Sequence, residues 1–93
     1  MNEPCETRVL PIVNEKGLHA RASAKLVEVV EQFDASADVS RDGQYASGDS
    51  IMGLLMLAAA KGTSIEVVTK GPQARDLADA LQMLVADRFG EEN

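Results

Sequence analysis

β-branched and aliphatic side chains occupy both faces of the run from Thr7 to Val13, which predicts a first strand, and Pro11 within it points to an edge position or a bulge. The spacing then changes. Between Ala20 and Phe33, apolar residues recur at Ala22, Leu26, Val29, Val30 and Phe33 while Lys25, Glu28, Glu31 and Gln32 fall outside, the pattern of an amphipathic helix. Ser36 to Arg41 and Gln44 to Ser47 flank Asp42-Gly43, a two-residue hairpin signal that predicts two antiparallel strands. Gly48-Asp49-Ser50 opens the apolar run Ile51 to Ala60, where Asp49 or Ser50 can cap a short helix that Lys61-Gly62 closes. Thr63 to Lys70 reads as another strand. Gly71-Pro72 breaks into a last helix, with Pro72 near its first turn and a stripe of Ala74, Leu77, Ala78, Leu81, Leu84 and Val85. Gly90 is expected to end that helix and Glu91-Glu92-Asn93 to form a solvated tail.

The order β-α-β-β-α-β-α, without repeat, linker or low-complexity stretch, predicts an α+β fold. A four-stranded antiparallel sheet would be covered on one face by helices and left partly open on the other. The 93 residues are expected to form a single domain, residues 1–93, with its core at about residues 7–90. Hydrophobic content is 45% but aromatic content only 3%, so aliphatic side chains must fill the interior and little remains for an enclosed substrate pocket. A net charge of −6 argues against a nucleic-acid partner, whose affinity comes largely from neutralised phosphates, and favours proteins with basic surfaces.

Cys5 is the lone cysteine and His19 the lone histidine, so neither a disulfide framework nor a metal site is expected. Cys5 reads as a mobile, exposed thiol. Met1-Asn2-Glu3-Pro4 lacks the apolar segment of a signal peptide, and no apolar run approaches a membrane span, so a cytoplasmic protein is expected.

The candidate chemistry centres on Gly17-Leu18-His19-Ala20-Arg21-Ala22-Ser23, where the extended run gives way to the first helix. A helix N-terminus gathers free N–H groups and the positive end of the dipole, both of which attract anions. An imidazole placed there is a nucleophile beside an anion site, and Arg21 adds a planar donor fork suited to phosphate oxygens. Ser50 is read first as an N-cap residue. Ile51, Met52, Leu54, Leu55, Met56 and Leu57 are too many apolar residues for a short helix to bury on one side. Leu18, Ala20, Ile51, Met52 and Leu55 are therefore expected to form a partner-binding patch near His19, where methionine adapts to several partners.

Gly17-Leu18-His19-Ala20-Arg21 together with Ser50-Ile51-Met52-Gly53-Leu54, at this separation and in a chain of this length, resembles the histidine-containing phosphocarrier (HPr) family of the phosphoenolpyruvate-dependent phosphotransferase system. Lys61-Gly62-Thr63 and the element order match as well. The resemblance implies an open-faced β-sandwich, phosphorylation of the histidine by enzyme I using phosphoenolpyruvate, and transfer onward to an A component of enzyme II. Carried over, His19 is the phosphoryl acceptor and donor, Arg21 stabilises the phosphate, and Ser50 matches the serine modified by the family's ATP-dependent HPr kinase/phosphorylase. A carrier rather than an enzyme, without cofactor and monomeric, is implied. The form His19-Ala20-Arg21-Ala22-Ser23, with Ala22 where many sugar-system members have proline, is similar to the nitrogen-related regulatory branch, while Ser50-Ile51-Met52-Gly53 fits kinase control.

Two other classes stand beside the phosphocarrier. One is an interaction module whose phosphorylation state controls target proteins without sugar transport. The other, a nucleic-acid-binding α/β domain, is disfavoured by the acidic charge and scarce aromatics.

Overall fold

Hydrophobic periodicity translates into seven main elements in the chain, for which a computed structural model describes residues 4–93. The signal-peptide reading of the N-terminus, apart from Pro4, lies outside the described residues. The elements are β1 (Cys5–Pro11), α1 (Ala20–Glu31), β2 (Ser36–Arg41), β3 (Gln44–Ser47), α2 (Ile51–Met56), β4 (Ser64–Lys70) and α3 (Ala74–Ala86), in the predicted order. The strands form one antiparallel sheet in the order β1-β4-β2-β3.

Alternation along β4 shows how the sheet builds the core. Ile65, Val67 and Thr69 point inward and Ser64, Glu66 and Lys70 outward, so the strand between β1 and β2 supplies one apolar row. Leu26 and Val30 of α1 and Leu77, Leu81 and Val85 of α3 meet that row together with Leu10 and Val39. The buried Thr69 hydroxyl donates to the Ala74 carbonyl at 2.7 Å, which ties the sheet to the start of α3. At the hairpin, Asp42 and Gly43 both have positive φ, 51° and 81°, as the turn between β2 and β3 requires.

Four boundaries depart from the sequence reading, each for a tertiary reason. β1 ends at Pro11 rather than Val13 because its register with β4 stops at Ser64, where Pro11 sits on the edge strand. Cys5 is exposed, as expected, but it is held in the β1 ladder opposite Lys70 and is not a mobile thiol. α1 stops at Glu31, two residues before Phe33, whose amide turns back to the Val30 carbonyl at 3.3 Å. α2 is shorter than the apolar run: Leu57 and Ala59 turn into the core, Arg41 donates to the Leu57 carbonyl at 3.1 Å, and Ala58 takes a φ of 51°.

The largest departure lies after α3. The helix ends at Ala86, four residues before Gly90, and a tight turn at Arg88–Gly90 follows in which all three residues have left-handed φ of 55° to 78°. Two non-glycine residues in that region cost on the order of 2–4 kcal/mol together. Phe89, fully buried against the core, offsets much of this cost, because burying such a side chain contributes about 1.5–3 kcal/mol. The Lys25 ammonium also donates to the Phe89 carbonyl at 2.6 Å. Lys25, expected on the solvated side of α1, is thus only partly exposed and clamps the turn.

Candidate functional site

Three backbone features place His19. Asn14 starts a turn in which the Gly17 amide donates to the Asn14 carbonyl at 3.2 Å. Gly17 has a φ of +64°, and a Cβ there would lie 2.4 Å from the Ala59 carbonyl oxygen, so both conformation and space demand glycine. The close approach lets the Leu18 amide donate to that same oxygen at 2.9 Å, which fixes the loop before α1 against the segment after α2. His19 follows as the N-cap of α1, with extended backbone and no side-chain cap hydrogen bond. Its imidazole is therefore not consumed by capping, and the first helical turn keeps amides that no cap side chain fills.

The ring is held instead by the C-terminal tail. Glu91 was expected in solvent, but its Oε2 is hydrogen-bonded to His19 Nε2 and its Oε1 accepts from Asn14 Nδ2 at 3.0 Å. Asn14 is fully buried, and its Nδ2 also donates to the Gly17 carbonyl at 2.8 Å. Beyond Glu91, the Asn93 carbonyl accepts from the Glu15 amide at 3.0 Å, so the tail is tied on both sides of the carboxylate. The side chains of His19 and Glu91 retain only 25% and 15% of their exposure, which separates this pair from a solvated surface ion pair.

Around the ring lies an open cleft of about 350 Å³ whose lining includes His19, the cations Lys16, Arg21 and Lys25 and the carboxylates Glu15, Glu91 and Glu92. Burial alone would raise the Glu91 carboxyl. Hydrogen bonds from His19 and Asn14 and the nearby positive charge outweigh it, and the carboxyl is held below the ordinary glutamate range. Glu91 is accordingly ionised at neutral pH, and an ionised carboxylate can only accept, so the proton of the neutral ring belongs on Nε2. Arg21 is exposed and has no ion-pair partner among the described residues.

Ser50 sits at the start of α2 and spends its hydroxyl oxygen on the Gly53 amide at 3.0 Å, while neighbouring Asp49 accepts from the Ser47 hydroxyl at 2.6 Å. Ser50 does not line the His19 cleft. Of the five residues expected to form the docking patch, Ala20, Ile51 and Met52 are exposed and Leu55 is partly exposed. Leu18 is not available: it is 4% exposed and belongs to the core, because the Gly17 turn and its amide bond to Ala59 point it inward. Met56, 75% exposed, extends the apolar surface on the far side of α2.

A family model described as the PTS HPr component phosphorylation site matches residues 6–87. The chain belongs to the HPr family. A phosphocarrier protein HPr from Cupriavidus necator is 46% identical over 80 residues, covering 86% of this chain and 90% of that protein. A phosphocarrier protein NPr from Shewanella violacea is 39% identical over 84 residues, covering 90% and 92%. The crystal structure of HPr-C-His from Thermoanaerobacter tengcongensis superposes with a TM-score of 0.89 at 30% identity, covering 95% of this chain and 99% of that one.

This HPr-family chain also contains functional-site residues that sequence reasoning missed. Asn14 and Glu91 carried no signal, since one sits in a loop and the other 72 residues from the histidine it contacts. Phe89 was the available clue. A large aromatic just before Gly90, in a chain with 3% aromatics, was unlikely to be left in a solvated tail.

Proposed function

We propose that the protein is a phosphoryl carrier that accepts a phosphoryl group on Nδ1 of His19 from a phosphorylated enzyme I and passes it to an A component of enzyme II. The observation that carries this reading is the ring itself: it stands at the N-terminus of α1, in an open cleft with Lys16, Arg21 and Lys25, with Nε2 engaged and Nδ1 left as the nucleophilic nitrogen. The Nδ1 lone pair attacks phosphorus as the donor's bond to it breaks, and the donor keeps that electron pair. Arg21 and the first-turn amides hold the equatorial oxygens. The return step is the same reaction in reverse, with the partner supplying the accepting nucleophile. The membership in a phosphocarrier family and the openness of the cleft support a covalent carrier docking on successive protein partners in the cytoplasm as a single-domain monomer.

Ser50 is the proposed regulatory position. A phosphate there would replace a hydroxyl cap with a group the helix N-terminus tolerates, and would place about two negative charges beside exposed Ile51 and Met52. That exposed surface favours a second reading, in which phosphorylation controls binding to regulated target proteins. The His19-Ala20-Arg21-Ala22-Ser23 form, with a relative named NPr at 39% identity beside one named HPr at 46%, supports keeping the nitrogen-related branch beside the sugar-system one.

The test is incubation with phosphoenolpyruvate and enzyme I of each branch, with acid-labile phosphate located by phosphohistidine-preserving mass spectrometry. Label on His19, absent in His19→Ala and passed on to an A component, is expected. Labelling by the nitrogen-related enzyme I alone would set the branch, and no labelling by either enzyme would overturn the carrier reading in favour of the interaction module.

A further inference from the structure

We propose that Glu91 is a positioning residue for phosphoryl transfer, delivered to the histidine by the C-terminal arm of residues 88–93. By accepting a hydrogen bond from Nε2–H it keeps the Nδ1 lone pair free for the cleft, and it stabilises the positive charge that the ring acquires as Nδ1 bonds to phosphorus. The inference rests on the reading of His19 as the phosphoryl acceptor.

The arm is built to present this carboxylate. Glu91 follows three residues of left-handed backbone, a path that only a strong anchor can hold, and the fully buried Phe89 provides that anchor. Lys25 secures the Phe89 carbonyl, the Glu91 amide closes the turn onto the Arg88 carbonyl at 2.9 Å, and Glu15 secures Asn93. Both carboxylate oxygens are then assigned, one to Asn14 and one to His19. Asn14 has no free rotation with which to release its oxygen, because it is buried and its amide also holds the Gly17 carbonyl of the histidine loop. One buried amide group therefore joins the loop that carries the nucleophile to the arm that carries its counter-charge.

The chemistry gives the contact a direction. In the neutral ring an ionised partner on Nε2 removes the tautomer in which Nδ1 is protonated and cannot attack. When Nδ1 bonds to phosphorus, the ring retaining its Nε2 proton becomes cationic and the carboxylate opposite stabilises it. Glu91 engages Nε2 and leaves Nδ1 for the phosphoryl group, in a cleft that Arg21 also lines.

The experiment uses the full chain labelled with 15N at the histidine ring. In the wild type, with the ring neutral, the ring shifts should show a proton on Nε2 and a lone pair on Nδ1. Glu91→Ala should give a mixture of tautomers and slow phosphorylation by enzyme I by about 10- to 100-fold, the loss expected for one charge-assisted hydrogen bond. Glu91→Gln, which keeps an acceptor without the charge, should retain the tautomer and recover part of the rate. A wild-type ring protonated on Nδ1 would overturn the proposal without any variant. So would a Glu91→Ala protein phosphorylated at the wild-type rate or faster, the latter marking the arm as a brake. Absence of His19 labelling in the wild type would instead overturn the carrier reading, while the ring shifts would still report on the pairing.

Discussion

His19 and Ser50 occupy the same structural position, the N-cap of a helix, and use it in opposite ways. Ser50 turns its oxygen onto the Gly53 amide and completes the start of α2, a role a hydroxyl performs well. His19 makes no such bond, leaves the first-turn donors of α1 available and is held from the opposite side by Glu91. At α1 the cap residue's side chain leaves the helix end unfilled and is engaged by a group from the far end of the chain. The contrast is the physical basis for the proposed division of roles, with the phosphoryl relay on His19 and the regulatory phosphate on Ser50.

The largest expected effect comes from removing the anchor of the holding group. Phe89→Ala should lower the unfolding free energy in denaturant titrations by about 3–5 kcal/mol, the range for truncating a buried phenylalanine. It should also free Glu91 from the ring, so that His19 loses its single tautomer in ring 15N spectra. An unchanged denaturation midpoint would mean that the arm is not seated by Phe89.

Arg21→Ala tests the anion side of the same cap. Because Arg21 is exposed and unpaired among the described residues, the melting temperature should move by less than about 3 °C, while phosphoryl transfer from enzyme I slows about tenfold. Equal losses of stability and transfer would erase the separation between structure and chemistry at His19.

Ser50→Ala should behave in the reverse manner. Loss of the cap costs about 1 kcal/mol and about 4–8 °C in melting temperature, with His19 still phosphorylated by enzyme I. A variant as stable as the wild type would show that the hydroxyl contributes no cap.

The smallest effect is acid release of the arm. The Glu91 carboxyl is held below its ordinary value in the folded protein, so the unfolded chain binds more protons, and the contact contributes fully above the ordinary value of 4.5 and fades as pH falls through the folded one. NMR contacts between the His19 ring and the Glu91 side chain should persist at neutral pH and be lost only as the pH falls below the ordinary glutamate range. Persistence of those contacts in acid would show that the carboxylate charge is not what holds the arm.

Much of this architecture was legible along the chain. Asp42-Gly43 specified the hairpin because two successive left-handed residues suit few other pairs, and the stripes of α1 and α3 specified helices because burial on one face imposes their spacing. Ser50 was read as a cap from its place before an apolar run, and α2 begins there. Legibility failed where distant segments meet. Leu18 looked like a surface residue beside the histidine until the Gly17–Ala59 approach turned it inward, and the apolar run after Ser50 did not show that Leu57 and Ala59 leave the helix for the core.

By itself, the order of residues determined the element sequence, the α+β class and the placement of His19 and Arg21 at a helix start, since these depend on patterns within a few residues of one another. Only the tertiary structure decided what holds the imidazole. Glu91 reaches His19 across 72 positions of chain through a strained turn that is unfavourable alone and forms because Phe89 is buried in a core built by every other element. Local preference argues against that turn, and global packing overrides it.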